Sequence, residues 1–324
     1  MILKYYIARI FYFLTKIFFI KPKQKNTGKG AVLMFHRILN NLSDEEINNG
    51  LAIQKNNFKQ IIDFISKNYK IVTLDYFLKN INKSTDFLVC VTFDDGYKDN
   101  IKNALPILEK YNVPFTIYFS TGFFKKNVFI WWYELRRYLK LKRNIKFKYL
   151  NKKYHLNNSN KNHKKISYKI IRNILLKLNV DQQKQFFKKI LNVKKLQNYK
   201  NLMINSNDLF NLSKNNLITI GCHSHNHLSL NYFNHKEILE DLKFSKKFLE
   251  KKINKKVNNF SYPFGSFNNK TIKVLKKLNF KSAVTTEKKP INRINKFLIP
   301  RIYISPHDTI ETIKLKLKGF HYYF

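Results

Sequence analysis

Short apolar runs alternate with amphipathic stretches along most of the chain. The runs are typical of strands buried on both faces of a sheet, and the stretches between them have the periodicity of helices with one apolar face. We predict strands at 31–35, 87–93, 115–119, 217–220, 259–262 and 282–285, and helices at 57–67, 100–111, 235–252, 269–278 and 309–317. Strand–helix alternation of this kind predicts an α/β fold with a parallel sheet, either open or closed into a barrel.

One segment, about 125–206, departs from this alternation. It is rich in Lys and Asn, has a mostly helical pattern, and begins near Trp131, Trp132 and Tyr133. We interpret it as an insertion that covers the barrel or meets a partner, rather than as an independent domain. The predicted organisation is therefore an N-terminal segment, 1–26, and a single barrel, 27–324, that contains the insertion.

Residues 1–20 are apolar but are interrupted by Lys4, Arg9 and Lys16. An arginine at the centre of a membrane span costs about 2.5 to 3.5 kcal/mol on insertion scales, so we do not expect this segment to cross a bilayer. No small-residue cleavage site precedes Lys21, which argues against a secretory signal. On a helical wheel the polar residues fall on one side, so we predict an amphipathic helix followed by a polar linker. The helix would lie on an anionic membrane surface or pack on the protein's own core.

The chain is strongly basic, with 62 Lys and Arg against 20 Asp and Glu and a net charge of +42. Lysine and asparagine recur in nearly every segment, so a general compositional bias explains the charge better than a nucleic-acid-binding stripe does. We therefore expect no specific nucleic-acid partner. With only two cysteines, Cys90 and Cys222, a disulfide scaffold or a multi-cysteine metal module is excluded. A metal ion would have to be bound by His and carboxylate groups.

Two adjacent carboxylates, Asp94 and Asp95, follow the most apolar predicted strand. Neighbouring carboxylates repel each other, and a cation or a shared proton would offset that repulsion. An ordinary pair of turn or helix-capping aspartates is the structural alternative.

Three of the nine histidines fall within five positions, directly after the predicted strand 217–220. If the chain becomes helical here, with Ser224 as its cap, His223 and His227 share a face and can bind one divalent ion; if it stays extended, all three could align. We favour the helical geometry, with His225 outside the ligand set.

These motifs resemble those of the polysaccharide deacetylases, the NodB-homology carbohydrate esterases. The Thr-Phe-Asp-Asp-Gly motif of that family stands at Thr92–Gly96, and its His-Ser/Thr-x-x-His motif at His223–His227. The similarity also includes 32–37, 103–108, 113–116 and 299–302, and Trp131-Trp132 resembles a subgroup associated with bacterial surface-polysaccharide assembly. The resemblance implies a distorted (β/α) barrel.

The resemblance also implies a catalytic site. Asp95, His223 and His227 would bind a divalent metal ion, with zinc expected, although this donor set also suits cobalt or nickel. Asp94 would be the general base, and the backbone N–H of Phe264 would donate to the oxyanion.

Two family features are missing from the sequence. The family's Arg-x-Pro-Tyr motif reads Ser261–Phe264, so the arginine that steadies the catalytic aspartate is absent there, and Arg301 is our candidate substitute. The late Leu-x-His motif that supplies the general acid has no clear counterpart, since 305–308 matches it poorly. We assign that role to His36, and we consider Tyr97 a candidate for stacking on a sugar ring.

The predicted function is metal-dependent removal of N-acetyl groups from amino sugars of a bacterial surface polysaccharide or its precursor. Because two motifs are missing, a non-catalytic glycan-binding or assembly protein on a degenerate barrel is the alternative. The expected partner is an N-acetylated glycan, with an anionic membrane surface as a further possibility through residues 1–20. The protein is expected to be bacterial and peripheral to a membrane or cytoplasmic, with secretion left open.

Overall fold

The computed structural model describes residues 29–291 and 294–319. The predicted amphipathic helix and linker at 1–26 lie outside these residues. The strands are β1 (Gly30–Phe35), β2 (Arg37–Leu39), β3 (Ala52–Gln54), β4 (Lys70–Ile71), β5 (Leu88–Phe93), β6 (Phe115–Phe119), β7 (Asn144–Tyr149), β8 (Lys152–Asn157), β9 (Ile218–Cys222), β10 (Asn259–Ser261), β11 (Ser282–Val284) and β12 (Ile302–Tyr303). Each of the six predicted strands is present, with its ends within two residues of the prediction.

A parallel sheet forms the centre of the molecule. Its strand order is β11-β10-β9-β6-β5-β1-β12, with β4 beside β5. Every pairing within this sheet is parallel. Strands β1 and β5 are buried along their whole length, which is why their sequences are continuous apolar runs rather than alternating ones.

The sheet curls, and one segment contacts both of its ends. Ile299 forms a parallel bridge with Val284 at the end of β11, and the backbone N–H of Thr285 donates to the carbonyl of Ile299 at 2.7 Å. A few residues later, β12 pairs with β1. The predicted distorted (β/α) barrel is therefore confirmed.

The helices either cover the outside of the sheet or belong to the segment predicted as an insertion. They are α1 (Asp44–Asn49), α2 (Lys55–Asn68), α3 (Leu74–Asn80), α4 (Leu105–Lys110), α5 (Trp131–Leu141), α6 (Lys161–Leu175), α7 (Val180–Gln185), α8 (Asp208–Lys214), α9 (His235–Ile253), α10 (Asn269–Lys277) and α11 (Ile310–Leu317). Short 3-10 turns occur at Thr121–Phe124, Lys200–Leu202, Leu230–Tyr232 and Pro263–Gly265, and π turns at Asn100–Ala104 and Phe186–Ile190. The helix predicted at 100–111 thus begins with a π turn and continues as α4.

The amphipathic spacing of the helices explains how they pack. In α2, the buried residues Phe58, Ile61, Ile62 and Ile65 lie on one face and join the apolar core of the sheet. Helix α9 begins with a capping box between Asn234 and Glu237 and buries a similar face. Among the helices that the structure describes, none combines the length and apolar character needed to cross a bilayer.

The segment predicted as an insertion lies between β6 and β9 and has an apolar core of its own. That core includes Trp131, Trp132 and Phe187 and extends to Tyr97 on the barrel side. Its helices α5, α6 and α7 agree with the helical pattern, but the antiparallel pair β7–β8 was not predicted.

Candidate metal centre and active-site cavity

The polar groups singled out from the sequence meet at one edge of the sheet. His36 follows β1, Asp94 and Asp95 follow β5, His223 follows β9, and Phe264 follows β10. Because the strands are parallel, their carboxyl ends lie together, as in other barrels whose chemistry sits at that end. The same edge lines a cavity of about 200 Å³.

Asp95, His223 and His227 form a compact group of potential metal ligands. One atom from each lies within 4.8 Å of the others, and all three side chains are buried. The Nε2 atom of His227 lies 3.0 Å from Asp95 Oδ1, and that of His223 lies 3.4 Å from the same oxygen. The predicted ligand set is thus brought together, whereas His225 lies apart from it.

The hydrogen bonding of His223 shows that these atoms suit a cation. Its Nδ1 lies 2.7 Å from the carbonyl oxygen of Ser261, and since a carbonyl only accepts, Nδ1 carries the proton. In the neutral imidazole, the lone pair of Nε2 then faces a carboxylate oxygen with no proton between them. A cation would satisfy both groups, and a metal-binding histidine usually donates its other N–H in this way.

His227 is held differently, by aromatic rings. Its ring centroid is 4.6 Å from that of Phe264, 4.7 Å from that of Trp132 and 5.8 Å from that of Phe123. Its Nδ1 is buried without a hydrogen-bond partner. Ring packing, together with the 3.0 Å contact between Nε2 and Asp95 Oδ1, therefore orients this imidazole.

The loop that carries both histidines is neither helical nor extended, so the helical geometry favoured by the sequence is wrong. Ser224 and His227 have positive φ values of 64° and 51°, which no helix accommodates. The Ser224 hydroxyl still accepts from the backbone N–H of His227 at 3.0 Å, as a helix cap would. The left-handed residues turn the chain so that both imidazoles point towards Asp95.

A buried carboxylate supports this loop from α9. Asp241 accepts hydrogen bonds from the backbone N–H groups of His225 and Asn226 at 2.7 and 2.9 Å. Burial raises the pKa of Asp241, while those two N–H groups act in the opposite direction. His225 contacts the Thr121 hydroxyl at 2.8 Å. Sequence analysis missed Asp241, because nothing in the pattern of α9 distinguishes it from a surface aspartate.

Asp94 is bound by Arg301 through both carboxylate oxygens. Nη1 donates to Oδ1 at 2.8 Å and Nη2 donates to Oδ2 at 2.6 Å. Nη2 also donates to the Ser261 hydroxyl, and Nε donates to the carbonyl of Thr285. Arg301 is only 1% exposed. This is the contact expected of a substitute for the missing arginine; its role in catalysis stays a prediction.

The charges around the two aspartates keep them ionised. Burial by itself would raise the pKa of Asp94, but the Arg301 guanidinium and His223 outweigh burial and lower it. Burial likewise opposes ionisation of Asp95, yet the nearby His227 and His223 imidazoles hold its pKa well below the usual range. Both carboxylates are therefore anions at neutral pH.

The remaining predicted residues fall into two groups. His36 and Phe264 line the cavity, and Phe264 has a positive φ of 58° within its turn. Burial lowers the pKa of His36, and the neighbouring Asp95 and Asp94 act in the opposite direction. Tyr97, by contrast, has no exposed surface and packs against Tyr133. The prediction that Tyr97 stacks on a sugar ring is wrong, because its ring is enclosed between the barrel and the insertion.

The poorly matched segment 305–308 does not reach the cavity. Asp308 forms an ion pair with Lys316 at 2.5 Å and accepts from the backbone N–H of Ser305, so this segment supports α11. His307 does not line the cavity.

The insertion supplies part of the cavity wall. Trp131, Trp132, Arg136, Tyr168 and Arg172 all line it. Of these, sequence analysis singled out only the two tryptophans, because the other three stand in ordinary helical patterns.

Buried polar atoms without partners concentrate in this cavity. Eleven such atoms occur among the described residues, and six belong to residues that line it. The six atoms are His36 Nδ1, Asp95 Oδ1, Trp131 Nε1, Trp132 Nε1, Arg136 Nη1 and His227 Nδ1. Unpaired buried polar groups are costly, so their concentration makes this cavity the candidate place for a bound ligand or ordered water.

Comparison with known proteins gives a consistent result. The sequence matches the polysaccharide deacetylase family over residues 81–166 and 179–283. It is 27% identical over 315 residues to the poly-beta-1,6-N-acetyl-D-glucosamine N-deacetylase of Staphylococcus aureus (strain MSSA476), covering 93% of this chain and 87% of that protein.

Solved structures show the same fold. The Streptococcus pyogenes deacetylase PplD, in complex with acetate, superposes with a TM-score of 0.60 at 20% identity, covering 89% of this chain and 97% of that one. IcaB from Ammonifex degensii superposes with a TM-score of 0.58 at 17% identity, covering 90% and 98%.

Proposed function

This chain belongs to the polysaccharide deacetylase family, and on that premise we propose that it is a metal-dependent enzyme that removes N-acetyl groups from amino sugars of a bacterial surface glycan or its precursor. The named Staphylococcus aureus relative acts on poly-β-1,6-N-acetylglucosamine, which makes a polymer or oligomer of N-acetylglucosamine the first substrate to test.

One observation carries this proposal. Within a single cavity, a potential metal site of two imidazoles and one carboxylate lies beside a second carboxylate that is held by a buried arginine. Burying charge is costly, and the position of this paired carboxylate next to a potential metal site favours catalysis over glycan binding alone.

We propose that Asp95, His223 and His227 hold the metal ion, and that zinc is the natural occupant because it prefers imidazole nitrogen and carboxylate oxygen donors. When bound, the ion supplies Lewis acidity that polarises the acetamide carbonyl.

The chain's own residues would divide the proton transfers. Asp94 accepts the proton of the attacking water, and Arg301 fixes both oxygens of that carboxylate for the task. The backbone N–H of Phe264 donates to the carbonyl oxygen as negative charge develops there. His36 protonates the leaving nitrogen as the C–N bond breaks, so that acetate and a free amine are released.

Peripheral attachment to an anionic membrane through residues 1–20 would fit work on a surface glycan or a membrane-bound precursor. We propose it on the strength of the amphipathic sequence alone.

The test is acetate release from N-acetylglucosamine oligomers. We expect release that stops with a chelator and returns when zinc is added, and a fall of roughly 10² to 10⁴ in kcat for Asp94→Asn. Asp63→Asn is the matched control, because Asp63 lies on α2 outside the cavity, where it pairs with Lys67. Full activity in Asp94→Asn would end the proposal, and glycan binding without any turnover would favour the non-catalytic alternative.

A further inference from the structure

We infer that the substrate carries a negatively charged group, a phosphate or a carboxylate, that binds to Arg136 and Arg172 in the wall of the active-site cavity. This inference rests on the proposed deacetylase function and specifies the chemical class of its glycan. Both arginines come from the insertion, on α5 and α6, and both line the cavity that contains the Asp94 and Asp95 pair.

The lysine-rich composition of the chain does not explain why two arginines, Arg136 and Arg172, line this cavity. Of the 62 basic residues only eight are arginines, since the bias of the sequence is towards lysine. Two of the eight line a cavity of about 200 Å³, and a third, Arg301, is buried beside it on Asp94.

Arg136 is held in place but is not paired with an acid. Its guanidinium lies 5.2 Å from the ring centroid of Tyr168 and 6.0 Å from that of Tyr133, contacts that use the faces of the rings. Its Nη1 is buried with no hydrogen-bond partner. Stacking therefore fixes the guanidinium while leaving an N–H group available for an acceptor that the described protein atoms do not provide.

Arg172 has a similar setting. Its guanidinium lies 6.0 Å from the ring centroid of Phe264, the residue whose backbone N–H we assign to the oxyanion. Among the residues that the structure describes, neither Arg136 nor Arg172 forms an ion pair. By contrast, Arg37 pairs with Asp99 and Arg137 pairs with Glu134.

A second, larger cavity extends the positive surface. Its volume is about 630 Å³, and it shares Arg136 and Tyr168 with the active-site cavity. Lys161, Lys164 and Lys165 line it from the start of α6, and Asp44 is the carboxylate in its wall. Positive charge is unfavourable at a helix N-terminus, and the first turn of α6 contains no acidic residue to offset it. An anion bound in this cavity would offset that positive charge.

This arrangement suits a charged glycan better than a neutral one. Guanidinium groups bind phosphate and carboxylate oxygens through paired, charge-assisted hydrogen bonds. A neutral N-acetylated sugar offers hydroxyl and amide groups only, which would leave two cations in the cavity wall uncompensated. The charge could come from an acidic sugar in the chain or from a phosphate that links the glycan to a carrier.

The experiment compares three substrates of equal length: a neutral N-acetylglucosamine oligomer, the same oligomer with a neighbouring uronate, and the same oligomer with a reducing-end phosphate. For the wild type we expect kcat/KM to be at least about tenfold higher for one of the charged substrates, and the preferred one identifies the source of the charge. In Arg136→Gln/Arg172→Gln the preference should fall about tenfold, equivalent to about 1.4 kcal/mol.

Arg143→Gln is the matched control, because Arg143 is an exposed arginine of the same insertion that lines neither cavity. It should keep the wild-type preference. The variant Arg136→Lys/Arg172→Lys retains the charge but loses the planar, paired donors of the guanidinium. Its preference for the charged substrate should lie between those of the wild type and the double glutamine variant. Equal kcat/KM values for the neutral and charged substrates, unchanged by the arginine substitutions, overturn the inference and leave the deacetylase function intact.

Failure of the proposed function gives a different result. If the wild type releases no acetate from any of the three substrates, the inference is judged by equilibrium binding of the same oligomers. Tighter binding of a charged oligomer that weakens about tenfold in the double glutamine variant supports the anion site. If the wild type binds the neutral and charged oligomers equally tightly, and the double glutamine variant does the same, the inference is overturned.

Discussion

The barrel edge and the insertion contribute to the same cavity in different ways. At the barrel edge, the polar groups are fixed by one another: Asp94 by Arg301, and His223 by the carbonyl of Ser261. On the insertion side, Trp131, Trp132 and Arg136 each present a buried polar atom without a partner. Unpaired atoms of His36, Asp95 and His227 also occur at the barrel edge, so the difference lies in Asp94 and His223, whose side chains protein groups already fix, as a pre-organised catalytic site requires.

From this contrast we propose that the barrel carries the reaction chemistry and that the insertion determines selectivity. Substitutions at the barrel edge should change metal content and turnover, and substitutions in the insertion should change substrate preference and local stability. Three substitutions test the division, in order of decreasing effect on turnover.

The largest effect is expected for His227→Ala. Losing one of three ligands should abolish stable metal binding, and with it about 4 kcal/mol of transition-state stabilisation, or roughly a thousandfold in rate. Elemental analysis and acetate release measure the two consequences. His225→Ala, two residues away but outside the ligand group, should keep its metal; equal metal loss in both variants would contradict the assigned ligand set.

A smaller effect is expected for Arg301→Lys. The lysine preserves the positive charge beside Asp94 but loses the two parallel hydrogen bonds, so kcat should fall roughly ten- to a hundredfold while the metal stays bound. Arg301→Met leaves a buried carboxylate unpaired and should cost about 3 to 5 kcal/mol in the free energy of unfolding, measured by urea denaturation. If kcat is unchanged in the lysine variant, Arg301 has only a structural role.

The smallest effect on turnover is expected for Phe147→Ala in the insertion. Phe147 stacks on Tyr154 across the β7–β8 pair, with ring centroids 4.6 Å apart, and also packs against Phe186. Its loss should lower the free energy of unfolding by about 3 to 5 kcal/mol, while the metal content stays at the wild-type level and kcat/KM falls only severalfold.

The control for this substitution is Phe210→Ala on α8, where the side chain is 46% exposed and the expected loss of stability is under about 0.5 kcal/mol. Loss of metal in Phe147→Ala would show that the insertion and the barrel edge unfold together, which would remove the proposed division.

The strands of the barrel were predictable because burial on both faces leaves a simple signal. A parallel strand such as β5 is apolar at almost every position, so its sequence differs clearly from that of its neighbours. Strand β7 was missed although Asn144–Tyr149 alternates polar and apolar residues. Its hairpin turn places Leu150 at a positive φ, where no glycine marks the turn.

The site was predictable in its residues but not in its backbone. Asp94, Asp95, His223 and His227 were identified from motifs, and Arg301 from the gap that a missing arginine left. The path of the histidine loop depends on positive φ values at Ser224 and His227. Residues with side chains seldom adopt that conformation, and the tertiary contacts with Asp241 and the barrel help to stabilise it here, so the sequence alone favoured a helix.

The closing segment of the barrel has a consequence for where the catalytic unit ends. The family match stops at residue 283. The residues after it form the bridge to β11, pair with β1 and include Arg301, whose guanidinium binds Asp94. A fragment that ends at residue 283 would keep Asp95, His223 and His227. It would lose Arg301, which binds Asp94, and strand β12, which pairs with β1. We therefore expect the smallest active unit to include the segment that bridges β11 and pairs with β1, beyond the end of the family match.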